Sequence, residues 1–155
     1  MKQKISYDLL TKQAQELITD NQYFISSLSN ISALLYYSLE AVNWAGFYLK
    51  KGDTLYLGPF QGNIACVEIA HGRGVCGSAV KSGETILVRN VHEFPGHIAC
   101  DSSTNSEIVI PIYSYGKVVA VLDLDSAELE RFDMEDQKGL EAIVKVIEQN
   151  WKQIF

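Results

Sequence analysis

The chain lacks any apolar run long enough to span a bilayer, any Cys-x-x-Cys pair and any excess of positive charge. The first absence argues against a membrane helix. Lysine and arginine total 13 against 19 aspartates and glutamates, for a net charge of −6. A phosphate backbone would be repelled, and no basic stripe interleaved with aromatics offsets this, so nucleic-acid binding is not expected. Met1-Lys2-Gln3-Lys4 leads into a polar, helix-patterned segment with no apolar stretch behind it. A secretory leader is therefore not expected, and the expected compartment is a reducing cytoplasm. Repeats, linkers and low-complexity tracts are missing too. What is present, 47% apolar residues in 155, suffices for one domain with a sizeable core and no staples. A small molecule or a protein is the partner class that remains.

Apolar spacing predicts two helices between Tyr7 and Leu39, broken at Asp20-Asn21. Trp44 to Leu49 and Thr54 to Phe60 read as strands joined by Lys51-Gly52-Asp53, with a third strand in 64–70. Glycine-rich His71-Gly72-Arg73-Gly74 opens a short helix, Val75 to Lys81, ended by Ser82-Gly83. Thr85 to Val88 is a short strand. Arg89 to Asn105 is a long polar loop, of a length that in a compact domain is usually functional or mobile. Strands Glu107 to Tyr113 and Lys117 to Asp125 follow, then a helix from Met134 to Ile154 with Asp133 as N-cap. The order implies an α+β domain, with helices on one face of a mainly antiparallel sheet. The other face is roofed by the glycine-rich segment and the long loop, with a pocket between.

Two constellations carry chemistry. Along Val118 to Asp125, the period of two puts Val119, Val121, Asp123 and Asp125 on one face and Val118, Ala120, Leu122 and Leu124 on the other. The second set reads as core. Whether Glu107 joins the aspartates depends on the hairpin. Tyr-Gly is a poor pair for a two-residue mirror-image turn, so a three-residue loop, Ser114-Tyr115-Gly116, is expected, which sets Glu107 across from Asp123. The aspartates could simply be solvated at a strand end. Crowded in a pocket, carboxylates raise one another's pKa, so one can stay protonated as an acid while ionised members hold an ammonium group.

The other constellation is Cys66, Cys76 and Cys100, within 35 residues. Clustered thiols in a reducing compartment are more often catalytic, redox-active or metal-binding than structural, and an odd count weakens the structural reading. Cys76 starts a predicted helix, where a thiolate is favoured but where an inert buried cysteine also fits. Cys100 lies in the long loop near His97, and Cys66 on a predicted strand edge could serve as a second thiol. Alternatively, His92, His97 and Cys100 could bind zinc with Cys66 or Cys76, although the paired spacing of strong zinc signatures is missing. His71 reads as a turn residue.

Several segments together resemble the free methionine-R-sulfoxide reductase family of GAF-domain enzymes. They are Asn43-Trp44-Ala45-Gly46-Phe47-Tyr48, Leu57-Gly58-Pro59-Phe60-Gln61-Gly62, Ala65-Cys66, Gly72-Arg73-Gly74-Val75-Cys76-Gly77, His97-Ile98-Ala99-Cys100-Asp101, Ser106-Glu107-Ile108-Val109-Ile110-Pro111 and Val121-Leu122-Asp123-Leu124-Asp125-Ser126. The resemblance runs from about residue 43 to the final helix. It implies a single GAF domain over residues 1–155, with N-terminal helices in 1–40, sheet and pocket in 43–125 and the last helix in 133–155.

The resemblance implies reduction of the free R epimer of methionine sulfoxide, with Cys100 as nucleophile and Glu107 as proton donor. Cys66 would resolve the resulting sulfenic acid as a disulfide, and Cys76 would be an auxiliary or alternative resolving thiol. Asp123 and Asp125 would bind the substrate ammonium and Trp44 its S-methyl group. No bound cofactor or metal is implied. Reducing equivalents would come from NADPH through thioredoxin, and GAF domains commonly pair through terminal helices, so a homodimer is expected. The competing class is a non-catalytic GAF domain that senses a small molecule or redox state.

Overall fold

In the computed structural model, residues 6–18, 23–98 and 100–155 are described; the predicted break at Asp20-Asn21, the Met1–Lys4 segment and Ala99 lie outside them. Among the described residues, helices α1 (Tyr7–Leu17) and α2 (Phe24–Ser38) precede strands β1 (Trp44–Lys51), β2 (Thr54–Gly62) and β3 (Glu68–Ala70). Helix α3 (Gly74–Ser82), β4 (Ile86–Val88), a 3₁₀ turn (Val91–Glu93), β5 (Ser106–Ser114), β6 (Lys117–Ser126) and α4 (Met134–Gln149) follow. The strands form one antiparallel sheet in the order β3-β2-β1-β6-β5-β4.

The sheet has a different chemistry on each side. Ala45, Phe47 and Leu49 of β1, Ile108, Ile110 and Ile112 of β5, and Ala120, Leu122 and Leu124 of β6 meet α1, α2 and α4 in an aliphatic core. Every second residue of each strand contributes, as the pleat requires. Asp133 caps α4 by accepting from the Asp136 amide, and the Asp136 carboxylate accepts in return from the Asp133 amide. On the opposite side Trp44, Tyr48, Val109 and Val121 pack beneath α3.

The β5–β6 hairpin corrects the expected turn. Ser114 pairs with Lys117, so the loop is Tyr115-Gly116, and both residues take positive φ (50° and 75°) as a mirror-image turn demands. A bulge lies between Ile112↔Ala120 and Tyr113↔Val118, leaving Val119 as the extra residue. That extra residue restores the parity a two-residue loop would lose. Glu107 therefore does face the aspartates, but directly across from Asp125, and Val109 is the residue opposite Asp123. The bulge also exchanges two side chains: Val118 packs on the α3 side and Val119 on the aliphatic side, the reverse of simple alternation.

Two boundaries differ as well. The third strand is only Glu68–Ala70, which leaves Cys66 in the connection after β2 and not on a strand. Helix α4 stops at Gln149, not Ile154. The apolar spacing continues because Trp151 and Ile154 pack on the core without being helical, the Trp151 ring meeting Phe24 edge-on at 5.2 Å.

Candidate active site

The site lies on the α3 side. β6 and β5 supply its floor with Asp123, Asp125 and Glu107, β1 supplies Trp44 and Tyr48, α3 supplies Cys76, and the loop between β4 and β5 supplies His97 and Cys100. Together they line one small cavity roofed by the long loop. The Trp44 indole stacks on Phe60 (5.2 Å, 14°) and Tyr48 (5.9 Å, 22°) and donates from Nε1 to the Asn63 carbonyl at 3.1 Å. Gly62, across the ladder from Trp44, has no side chain because a Cβ there would lie 2.6 Å from Trp44 Cδ1. The ring is thus fixed as a flat apolar wall.

Glu107 and Asp123 are 7% and 5% exposed, Glu107 lies directly across the ladder from Asp125, and carboxyl oxygens of Glu107 and Asp123 come within 4.8 Å of each other. Carboxyl groups crowded and buried in this way favour the protonated form. Burial drives this, pushing all three well above the ordinary carboxylate range; the negative charge of Asp125 adds to the effect on Glu107, that of Glu107 to Asp123, and that of Asp123 to Asp125. Oδ1 of Asp123 and Oδ1 of Asp125 are buried with no hydrogen-bond partner among the described residues. A floor that holds protons and still presents unpaired acceptors suits both a proton donor and a cation.

Cys66 and Cys100 form a disulfide, their Cα atoms 5.5 Å apart, within the ordinary span of such bonds. It ties the rim segment 63–67 to the long loop, alongside a hydrogen bond from the Asn63 amide to Asp101 (3.3 Å). Asp101 is held below its usual range by the Ser103 hydroxyl and amide. Cys76 is free and buried, its thiol donating to Asp123 Oδ2 at 3.4 Å. Burial and the Asp123 charge push this thiol well above its ordinary value, so it is poorly ionised.

The zinc set is not brought together. Cys100 is bonded to Cys66, His92 Nε2 lies 2.8 Å from Asn105 Oδ1, and His97 stands 3.8 Å from Glu107 Oε1. Burial lowers the His97 pKa, so it faces Glu107 as a neutral ring. The group that does converge among the described residues is Cys76, Glu107 and Asp123, with ligand atoms within 4.8 Å of one another. His71 sits in the turn after β3, its amide bonded to the Asp53 carbonyl.

All six of the expected non-histidine residues beyond Cys66, namely Trp44, Cys76, Cys100, Glu107, Asp123 and Asp125, line this cavity, with Cys66 on its rim. Sequence reasoning missed Tyr48, which lines the cavity and donates its hydroxyl to the Cys66 carbonyl at 2.9 Å. The signal was there: Tyr48 stands four residues after Trp44 on the same strand, hence on the same face. Thr104, buried with an unpartnered hydroxyl, was also missed.

Comparison with known proteins agrees with this geometry. The GAF domain family model matches residues 31–151. The free methionine-R-sulfoxide reductase of Escherichia coli is 49% identical over 142 residues, 92% of this chain and 86% of that protein. The structure of fRMsr of Staphylococcus aureus in its reduced form is 51% identical and superimposes with a TM-score of 0.91, covering 97% of this chain and 99% of that one. The free methionine-R-sulfoxide reductase of Neisseria meningitidis, solved in complex with its substrate, is 38% identical with a TM-score of 0.90, covering 97% and 93%. A buried carboxyl floor, an aromatic wall and a cysteine pair at the mouth are thus set in a fold shared at this level of identity, and the chain belongs to the free methionine-R-sulfoxide reductase family of GAF-domain proteins.

Proposed function

We propose that the protein reduces free L-methionine-(R)-sulfoxide to methionine with its own thiols. The observation that carries the reading is the position of Cys100, lining a cavity whose buried carboxyl floor favours the protonated form and presents unpaired oxygens. The substrate ammonium pairs with Asp123 and Asp125, and the S-methyl group lies on the Trp44 wall, where sulfur–aromatic contact is favourable. A residue inside a peptide has no ammonium group and would leave these carboxylates uncompensated, which selects the free amino acid.

The Cys100 thiolate attacks the sulfoxide sulfur while protonated Glu107 gives its proton to the oxygen, which passes to Cys100 as a sulfenic acid as methionine departs. Cys66 then attacks the Cys100 sulfur; the hydroxyl leaves as water and the Cys66–Cys100 disulfide forms. Thioredoxin, recharged by NADPH, returns both cysteines to thiols. The 5.5 Å Cα separation supports Cys66 as the resolving thiol, and the poorly ionised Cys76 is the auxiliary. A reducing cytoplasm is the compartment in which such a cycle can run, and a second copy of the chain is the expected assembly partner.

The test is a thioredoxin-coupled NADPH assay on the separated R and S epimers of free methionine sulfoxide and on a peptide-bound sulfoxide. Turnover of the free R epimer alone is expected. Silence on all three, with the thiols shown to be reduced, moves the reading to a GAF domain that senses a small molecule.

A further inference from the structure

Exposed apolar side chains gather where the disulfide reaches the surface. Ile64 is 90% exposed and Val67 67%, one on each side of Cys66, and Ile98, two residues before Cys100, is 37% exposed. Ile64 and Ile98 border the same cavity mouth. Aliphatic side chains this exposed, clustered beside a bond that must be attacked from outside, mark a contact surface.

The two sulfurs are not equivalent to an incoming thiolate. Cys100 lines the cavity together with Glu107, Asp123 and Asp125, so from that side its sulfur is reached only through the space the substrate occupies. Cys66 does not line the cavity. It belongs to the rim segment, its carbonyl held by the Tyr48 hydroxyl and the next carbonyl, that of Val67, by the Leu57 amide at 2.9 Å. Exposed Ile64 and Val67 flank Cys66 in this rim segment.

Resting on the function proposed above, we infer that a protein dithiol docks on the Ile64–Val67 rim and attacks the sulfur of Cys66, not that of Cys100. The attacking sulfur bonds to Cys66 Sγ, the Cys66–Cys100 bond breaks, and the electron pair leaves on Cys100. The second thiol of the dithiol then attacks its own bonded sulfur, which closes the reductant's disulfide and releases Cys66. Two electrons pass from the dithiol to the two cysteines, and the nucleophile is regenerated in the first of the two steps.

The experiment compares thioredoxin with dithiothreitol as reductant at saturating substrate. Val67→Glu puts a charge on the rim and leaves the backbone bond to Leu57 intact. It is expected to raise KM for thioredoxin about tenfold while turnover driven by dithiothreitol is unchanged. An unchanged KM for thioredoxin in the active variant overturns the docking surface. Thioredoxin whose second cysteine is serine, mixed with the oxidised protein, should be trapped on the peptide containing Cys66; trapping on Cys100 overturns the order of attack. A wild-type protein inactive with both reductants overturns the proposed function itself, and this inference with it.

Discussion

Asp136 and Asp123 are buried to nearly the same degree, 8% and 5% exposed, and are treated differently. Asp136, in the first turn of α4, accepts from the Tyr7 hydroxyl, from the Arg131 guanidinium at 3.2 Å and from the Asp133 amide at 2.9 Å. These bonds tie α1 and the chain before α4 together. Asp123, on the opposite side of the sheet, has the Cys76 thiol, two other carboxyl groups and one oxygen with no partner. A buried acid fully served by its own chain is part of the scaffold. One left under-served is stable only with a proton or a cation from outside, and that is the difference between a structural carboxylate and a binding one.

The largest effect that would sharpen this contrast is on the chemistry. Cys100→Ser should abolish turnover on free methionine-R-sulfoxide, whereas Cys66→Ser should still give one reduction per enzyme in a single-turnover assay. Substantial multiple turnover by Cys100→Ser would remove the assignment of nucleophile. Glu107→Gln should lower kcat by about 10²-fold or more, the usual worth of a positioned proton donor, with KM little moved; an equal loss in KM would make Glu107 a binding group only.

The aliphatic side should respond in the opposite way. Leu122→Ala, which empties a fully buried site between sheet and helices, should cost roughly 2–5 kcal/mol of unfolding free energy and leave kcat of the folded fraction intact. Urea unfolding beside the turnover assay measures both. Next in size, Asp125→Asn should raise KM for the free amino acid about tenfold, by the loss of one charged hydrogen bond; an unchanged KM would take the ammonium role from Asp125.

The smallest effect is on stability against pH. Because the site carboxyls are held above the ordinary range in the folded state, they favour folding below pH about 4, where the unfolded chain is also protonated. That contribution is lost as pH rises through the raised folded values. Asp123→Asn removes one such group, so its urea midpoint should fall less between pH 4 and 8 than that of the wild type. Parallel curves would mean that Asp123 is served as well as Asp136.

Legibility in the sequence followed the same division. Strands with polar markers on one face declared themselves: Asp123 and Asp125 set the face of β6, and the glycines around α3 set its ends. The hairpin did not, because Val118 and Val119 are identical and a bulge between faces leaves no trace when both residues are apolar. Tyr115 adopting a positive φ ran against its ordinary preference. The end of α4 was hidden by Trp151 and Ile154, which keep a helical spacing while packing as an irregular tail. Tyr48 went unnoticed because an aromatic on a central strand is usually core, which its 2% exposure also makes it.

The raised pKa values of Glu107, Asp123 and Asp125 carry a last consequence. A cation entering that floor must expel the proton it replaces, so ligand uptake and acid release are one event. The heat of binding would then vary with the ionisation enthalpy of the buffer, and affinity for an ammonium group would climb with alkalinity until the ammonium itself began to titrate.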